Sequence, residues 1–179
     1  MLEILFRNQD FAAVSKPAGI AVHQEEGADN LLAMAAARLN VPRLWLTHRL
    51  DKPTSGVLLL ALNAQAASEL AQQFAAKTMR KTYLALSDRR PAKKQGLVKG
   101  GMEKSRRGAW KLTRGDGANP AVTRFHSQSI APNLRLFVLQ PQTGKTHQLR
   151  VAMKSLGSPI LGDTLYGGTP AERLFLHAW

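Results

Sequence analysis

The sequence of 179 residues contains no cysteine. Disulfides and thiolate metal sites are therefore excluded, and the composition is compatible with a reducing cytoplasm. The unbroken apolar runs are far shorter than the roughly 18 residues that a membrane span requires. Charged side chains near the start (Glu3, Arg7 and Asp10) interrupt any signal-peptide core, so nothing in the sequence suggests export and we expect a cytoplasmic protein.

Acidic residues are also scarce. Asp and Glu together number 12 against 25 Lys and Arg, which gives a formal net charge of +13. Such an excess predicts a polyanionic partner, and nucleic acid is the default. An anionic membrane surface is a weaker expectation, because no long amphipathic basic helix is evident. The five histidines are scattered without the spacing of a zinc site, so we expect no metal and no other cofactor.

The stretch from Thr47 to Leu62 places a charged cluster directly before an apolar run. This pattern predicts a loop at the entrance of a buried strand, where a rigid scaffold can hold side chains beside a cleft. Arg49 and Lys52 flank Asp51 and favour its ionised form, which suits a nucleophile or an electrostatic stabiliser better than a proton donor. Taken alone, an Asp between basic residues is more simply explained as a turn residue in a surface ion pair.

Three helices are predicted from apolar periodicity. The first is capped by Asp29 or Asn30 and runs to about Asn40. The second begins after Asn63 and runs to about Thr78, with a face that we expect to be buried (Ala67, Leu70, Ala71 and Phe74). The third runs from about Thr146 to Leu156 and carries a basic flank beside its apolar stripe (His147, Arg150 and Lys154).

Runs of strands with a few interspersed helices and hairpin-like connections predict an α+β fold with a mixed, mainly antiparallel sheet. A strand from Arg80 to Leu86 contains Tyr83, which on this pattern alone is as easily explained by packing. The segment 87–120 is rich in glycine and in cations. It predicts a basic excursion between core strands, with the form of a ribbon that has Trp110 near its tip. Contact of this excursion with phosphates competes with the alternative of a merely solvated surface.

Three blocks together resemble the RluA-type pseudouridine synthases: HRLDKPTSG at 48–56, RKTYLAL at 80–86, and QTGKTHQLRVAMKSLGSPILGDTLYG at 142–167. Their order and spacing agree with that family from about Leu5 to His177, which is far more specific than one short motif. The resemblance implies the pseudouridine synthase catalytic fold. It also implies an isomerase that detaches uracil from ribose C1′, turns the base and rejoins it through C5 without metal or cofactor.

The resemblance also implies roles for individual residues. Asp51 becomes the catalytic carboxylate, which either attacks C1′ or takes a ribose proton, and the sequence leaves both routes open. Arg150 pairs with Asp51, while Tyr83 stacks on the uracil near the departing C5 proton. RNA contacts are assigned to a further set of residues, in which Lys145 stands where the family usually has Arg: Arg49, His48, Lys145, Lys104, Arg106 and Arg107.

Residues 1–179 are thus expected to form a single catalytic domain, without the separate N-terminal RNA-binding domain that many family members carry. Family members usually continue through one more strand, so a truncated C-terminus is compatible with the sequence. The expected partner is ribosomal or transfer RNA, with no membrane, no obligate protein partner and a monomeric state. Two rival functions are a noncatalytic RNA-binding protein and an RNA N-glycosidase, although a glycosidase ordinarily uses a second carboxylate and only Asp51 lies in such a block.

Overall fold

The computed structural model describes residues 2–22, 31–115 and 119–179. The chain divides into two compact units. The first consists of Met1–Met79 with Ala178, and the second consists of Arg80–His177 with Trp179. None of the helices in these described ranges has the length and the apolar character needed to cross a membrane.

The first unit is an antiparallel arrangement of four strands with two helices. The strands are β1 (Glu3–Arg7), β2 (Phe11–Lys16), β3 (Trp45–Leu46) and β4 (Ser55–Ala61). Strand β2 lies between β1 and β4, and the short β3 also pairs with β4. The apolar run after the charged cluster is therefore a buried strand, as its composition predicts.

Helix α1 (Leu31–Leu39) buries Leu31, Ala35 and Leu39, as its periodicity predicts. The predicted caps Asp29 and Asn30 lie outside the described residues. Helix α2 (Ala64–Ala75) begins after Asn63, whose side chain accepts a hydrogen bond from the Ala66 N–H at 2.8 Å, which confirms the predicted N-cap.

The buried face predicted for α2 was wrong. Only Ala66 is buried on this helix, Ala71 is exposed, and the other predicted positions are half-buried. The Phe74 ring stacks on the ring of His48 at 4.5 Å between centroids. The helix therefore covers a polar loop rather than a purely apolar core, so its apolar spacing overstates the burial.

The second unit is a larger antiparallel sheet with one helix. Its elements are β5 (Tyr83–Ser87), β6 (Gln95–Lys104), β7 (Trp110–Thr113), β8 (Ala121–Ala131), β9 (Leu134–Pro141) and α3 (Gln148–Ser155). The last strand, β10 (Leu176–Ala178), belongs to this unit except for Ala178. Strands β5, β9, β8, β6 and β7 are neighbours in that order, each pair antiparallel. Helix α3 packs on β7, β8 and β9 over a core that includes Phe125, Phe137, Leu139 and Met153. The α+β class predicted from the sequence is confirmed.

The basic segment 87–120 contributes to the sheet as well as projecting from it. Residues Gln95 to Gly100 of β6 pair with β8 and belong to the sheet. Beyond them, β6 and β7 form a two-stranded hairpin, here called the ribbon (residues 101–113), in which Lys104 lies opposite Trp110. The ribbon tip carries Arg106 and Arg107, both exposed, with Arg107 in the left-handed backbone region at φ 56°.

Candidate active site

The loop that carries Asp51 (residues 47–54, the Asp51 loop) is fastened to the strand that follows it. Thr47 donates its hydroxyl to the carbonyl of Leu59 at 3.1 Å, and the Leu59 N–H donates to Nε2 of His48 at 3.0 Å. The Thr54 N–H donates to the carbonyl of Asp51 at 2.9 Å and closes a turn. Hydrogen bonds thus hold the loop on both sides of Asp51, which is itself half-buried.

Lys16 supports the same loop from inside the first unit. Its side chain is 0% exposed, and its ammonium donates to the carbonyls of Pro17, Ile20 and Lys52 at 2.9, 2.8 and 3.0 Å. The Gly19 N–H also donates to the Lys52 carbonyl at 2.9 Å. The carbonyl of Lys52, the residue after Asp51, therefore accepts from two donors, one of them charged.

Burial lowers the pKa of Lys16 from 10.5 to about 8, and the negative charge of Asp51 acts in the opposite direction. The two groups are thus electrostatically coupled. Lys16 was not singled out from the sequence. A signal was present, since Lys16 lies on the same face of β2 as the buried Ala12 and Val14. A lysine on the buried face of a strand requires partners, and here backbone carbonyls provide them.

The structure gives the other residues of the Asp51 loop different environments. Arg49 and Lys52 are exposed, so the guanidinium predicted to stand in for the flipped nucleotide is accessible. His48 is half-buried, and its ring is engaged with β4 and with Phe74. Contact of His48 with RNA stays a prediction, while its packing role in the first unit is explicit in these contacts.

In the second unit, Arg150 projects from α3 into a buried ion pair. Its Nε donates to one carboxylate oxygen of Asp163 at 2.8 Å, and its Nη2 donates to the other at 2.7 Å. The side chains are 8% and 1% exposed. This bidentate pair fixes the plane of the guanidinium, and a pair of that kind is geometrically specific. The sequence-based prediction that Arg150 pairs with Asp51 concerns residues of different units and stays a prediction.

The basic flank of α3 gathers around one aromatic ring. Tyr166 is 2% exposed, and the Arg150 guanidinium lies 4.9 Å from the centre of its ring. The Lys154 ammonium lies 5.9 Å from that centre, and His147 approaches the ring edge-on at 5.7 Å. The predicted basic flank is confirmed in that all three side chains reach this ring, although His147 precedes the helix and the common neighbour is not apparent from helical spacing.

Helix α3 begins at Gln148, two residues after the predicted start. His147 adopts the left-handed backbone conformation at φ 56° and ends the preceding turn. The buried Gln148 side chain accepts from the Thr143 hydroxyl and the Lys145 N–H, and it donates to the Val122 carbonyl and the Thr123 hydroxyl. These four bonds tie the turn before α3 to β8 and set the backbone of Lys145.

Tyr83 begins β5, where it lies opposite Leu139 of β9. Its side chain is half-buried and packs against the core of the second unit. The buried face of β5 consists of Tyr83, Ala85 and Ser87, so Tyr83 is directed to the opposite side from Leu84 and Leu86, as the strand alternation predicts. Two residues earlier, Lys81 donates to the Thr143 carbonyl at 3.1 Å, and burial lowers its pKa.

The first unit thus brings His48, Arg49 and Asp51 together on one loop, and the second unit brings Lys145 and Arg150 to the start of α3. Lys104, Arg106 and Arg107 lie on the ribbon, apart from that helix start in the chain. Within the described residues, no group of three or more His, Asp or Glu side chains has the arrangement of a metal site.

Comparison with known proteins identifies the class of enzyme. A family model described as RNA pseudouridylate synthase matches residues 10–155. An uncharacterized RNA pseudouridine synthase of Haemophilus influenzae is 56% identical over 179 residues, which cover 99% of this chain and 80% of that protein. The solved structure of human RNA pseudouridylate synthase domain containing 4 superposes with a TM-score of 0.81 at 28% identity, over 98% of this chain and 82% of the human one.

Two other relatives carry more specific names. The tRNA pseudouridine synthase C of Pectobacterium carotovorum is 38% identical over 93% of this chain. The ribosomal large subunit pseudouridine synthase C of Rickettsia bellii is 36% identical over 98% of this chain. The chain spans 48% and 61% of the length of these two proteins.

The chain therefore belongs to the RNA pseudouridylate synthase family, within its RluA-type branch, as the three sequence blocks indicated. It is an isomerase that acts on RNA. The function predicted from the sequence is confirmed at this level, and the noncatalytic alternative is not supported.

Proposed function

We propose that the enzyme converts a uridine of structured ribosomal or transfer RNA into pseudouridine, with Asp51 as its catalytic carboxylate. The names of the Rickettsia and Pectobacterium relatives favour these two RNA classes. The main support for Asp51 is its loop, whose backbone is held by Lys16 beneath it and by β4 beside it. A carboxylate on a rigid loop meets the positional demand of attack on a single carbon or proton.

The proposed reaction has three stages. The target nucleotide leaves its stack, and Arg49 occupies the space that the base vacates, because a guanidinium stacks well on bases. Asp51 then attacks ribose C1′ or removes a ribose proton, and the bond from C1′ to N1 of uracil breaks. After the base has turned, C5 bonds to C1′ while the bond from Asp51 to C1′ breaks, or, in the second route, while Asp51 returns the ribose proton. The C5 proton then leaves, with Tyr83 as the proposed acid or base near that proton.

Arg150 is the proposed partner that keeps Asp51 ionised and oriented. The support comes from the second unit, where Asp163 and Tyr166 hold the guanidinium in one plane. An arginine held in this way presents a fixed direction for its remaining donors. Lys145 is proposed to anchor a phosphate as a point charge, since its backbone is set by Gln148.

We further propose that residues 1–179 act as one catalytic domain of a cytoplasmic, monomeric enzyme. The net charge of +13 supports direct binding to RNA without an obligate protein partner. Ribbon cations Lys104, Arg106 and Arg107 are the proposed phosphate contacts, supported by their exposure on a projecting hairpin.

Release of tritium from RNA labelled at uridine C5 tests the chemistry, with ribosomal and transfer RNA transcripts compared side by side. We expect wild type to release tritium from one class, and Asp51→Asn to release none while it still binds RNA. Asp10→Asn, which removes an exposed carboxylate of the same unit outside the Asp51 loop, is the matched control and keeps full turnover. Turnover by Asp51→Asn near the wild-type rate would remove Asp51 from the mechanism, and free uracil would indicate a glycosidase.

The ribbon contacts are tested by the salt dependence of RNA binding. Replacing Lys104, Arg106 and Arg107 with Ala should weaken binding and reduce the slope of log affinity against log salt by about 0.7–0.9 for each lost phosphate contact. A control variant lacks two exposed cations of the first unit, Arg38 and Lys77, and should keep the wild-type slope. If the ribbon variant also keeps that slope, the ribbon does not bind RNA.

A further inference from the structure

We propose that Tyr166 is a positioning residue that links the RNA-binding ribbon to the buried Arg150. Its hydroxyl bonds to the ribbon backbone, and its ring packs against the arginine. This inference rests on the proposed roles of the ribbon and of Arg150. Tyr166 itself needs no contact with RNA for this role, because it acts through the two elements that it joins.

The hydroxyl of Tyr166 holds the ribbon just below its tip. It accepts a hydrogen bond from the backbone N–H of Trp110 at 2.9 Å. Trp110 lies opposite Lys104 in the ribbon, and the tip between them is closed by the bond from the Ser105 N–H to the Ala109 carbonyl at 2.8 Å. The phenol therefore fixes the point from which Lys104, Arg106 and Arg107 project.

The same hydroxyl lies 2.8 Å from Nδ1 of His147, the residue that precedes α3. Through this contact, the ribbon backbone at Trp110 and the start of α3 share one buried oxygen. Since His147 adopts a left-handed backbone conformation, its position is set by the turn and is not freely adjustable.

The ring of Tyr166 holds Arg150 from a different side than Asp163 does. The guanidinium lies 4.9 Å from the ring centre, while its Nε and Nη2 are bound to the Asp163 carboxylate. The Tyr166 N–H in turn donates to the Asp163 carbonyl at 3.1 Å. One short segment, Asp163 to Tyr166, thus carries both contacts that fix the guanidinium together with the contact that fixes the ribbon.

Two substitutions separate the hydroxyl from the ring. Tyr166→Phe keeps the ring on Arg150 and removes the hydroxyl contacts with both Trp110 and His147. Because the Trp110 N–H then loses its acceptor, we expect KM for structured RNA to rise about 5- to 10-fold with kcat within twofold. Tyr166→Leu also removes the ring, so we expect kcat to fall by a further factor of about 10. A general folding defect would instead lower kcat in both variants by reducing the amount of active enzyme, without raising KM.

A double-mutant cycle tests the link to the ribbon directly. In a Lys104→Ala/Arg106→Ala/Arg107→Ala background, Tyr166→Phe should add less than a twofold rise in KM, because the cations that the hydroxyl positions are absent. His147→Asn, which tolerates the left-handed backbone but shortens the side chain, removes only the second contact of the hydroxyl and should raise KM less than Tyr166→Phe does. Ser158→Ala is the control, since it removes another buried hydroxyl hydrogen bond, to the Arg89 carbonyl, and should leave both constants unchanged.

An unchanged KM for Tyr166→Phe, or effects that multiply fully in the double-mutant cycle, would overturn the proposed link. Failure of the proposed function would look different, because Asp51→Asn would retain activity or the ribbon variant alone would leave KM unchanged. Thermal unfolding of each variant, followed by circular dichroism, confirms that the kinetic constants refer to folded enzyme.

Discussion

Substitution of Asp163 by Asn should destabilise the protein strongly, because it leaves a buried cation without its counter-charge. Arg150 and Asp163 are 8% and 1% exposed, so water does not replace the lost carboxylate. The Asn oxygen still accepts one hydrogen bond, but the amide group is directed at a guanidinium donor. Removal of one partner from a buried pair costs about 3–5 kcal/mol. At about 2–4 °C of Tm for each kcal/mol in a protein of this size, the expected loss is about 6–20 °C.

Urea and thermal unfolding measure this loss, and an exposed ion pair supplies the control. Nζ of Lys111 lies 3.4 Å from a carboxylate oxygen of Glu103, and the two side chains are 58% and 61% exposed. Glu103→Gln should therefore lower the free energy of unfolding by less than about 1 kcal/mol. The double variant Arg150→Met/Asp163→Leu should be more stable than Asp163→Asn, because no unpaired charge remains. If Asp163→Asn is as mild as Glu103→Gln, or the double variant is the least stable of the three, the reasoning from burial is wrong.

Two more predictions concern the first unit. Because the pKa of folded Lys16 is about 8 against an ordinary 10.5, unfolding takes up a proton between these values, and the stability of wild type relative to Lys16→Met should rise as pH increases from 8 to 10.5. Urea unfolding at several pH values checks this, and a difference that stays constant would contradict the assignment. His48→Ala should lower the free energy of unfolding by about 1–3 kcal/mol through loss of its bond to Leu59 and its stacking. The predicted RNA contact of His48 is tested by the slope of log RNA affinity against log salt for this variant, with His126→Ala, which replaces an exposed histidine of β8, as the control. A smaller slope for His48→Ala than for His126→Ala would support the contact, and equal slopes would contradict it.

Features set by neighbouring residues were predictable from the sequence. The apolar run of β4 and the Asn63 cap depend on local spacing, and both are present where expected. The hairpin between β8 and β9 also follows from a local signal, since Pro132 and Asn133 turn the chain and Asn133 adopts φ 52°. The family itself was recognisable because its three blocks lie at fixed separations.

Contacts between distant parts of the chain were not predictable in the same way. The bond from Lys16 to the Lys52 carbonyl spans 36 residues, and the bond from Trp110 to Tyr166 spans 56. Neither has a periodic signature, because each depends on how elements pack after they form. The error in α2 has a similar origin, since its apolar face meets the half-buried ring of His48 and not a closed core.

The two units support their proposed catalytic charges by the same physical means. In the first unit, the buried Lys16 donates to backbone carbonyls of the segments next to Asp51. In the second unit, the buried Asp163 and Tyr166 hold the Arg150 guanidinium from two sides. Groups fixed in this way need little reorganisation when charge develops in the transition state. Substitutions at these buried supports should therefore act mainly on kcat, whereas substitutions at exposed cations such as Arg106 should act on KM. The Tyr166 hydroxyl is the exception that connects the two sets, because it is buried and yet supports the exposed ribbon.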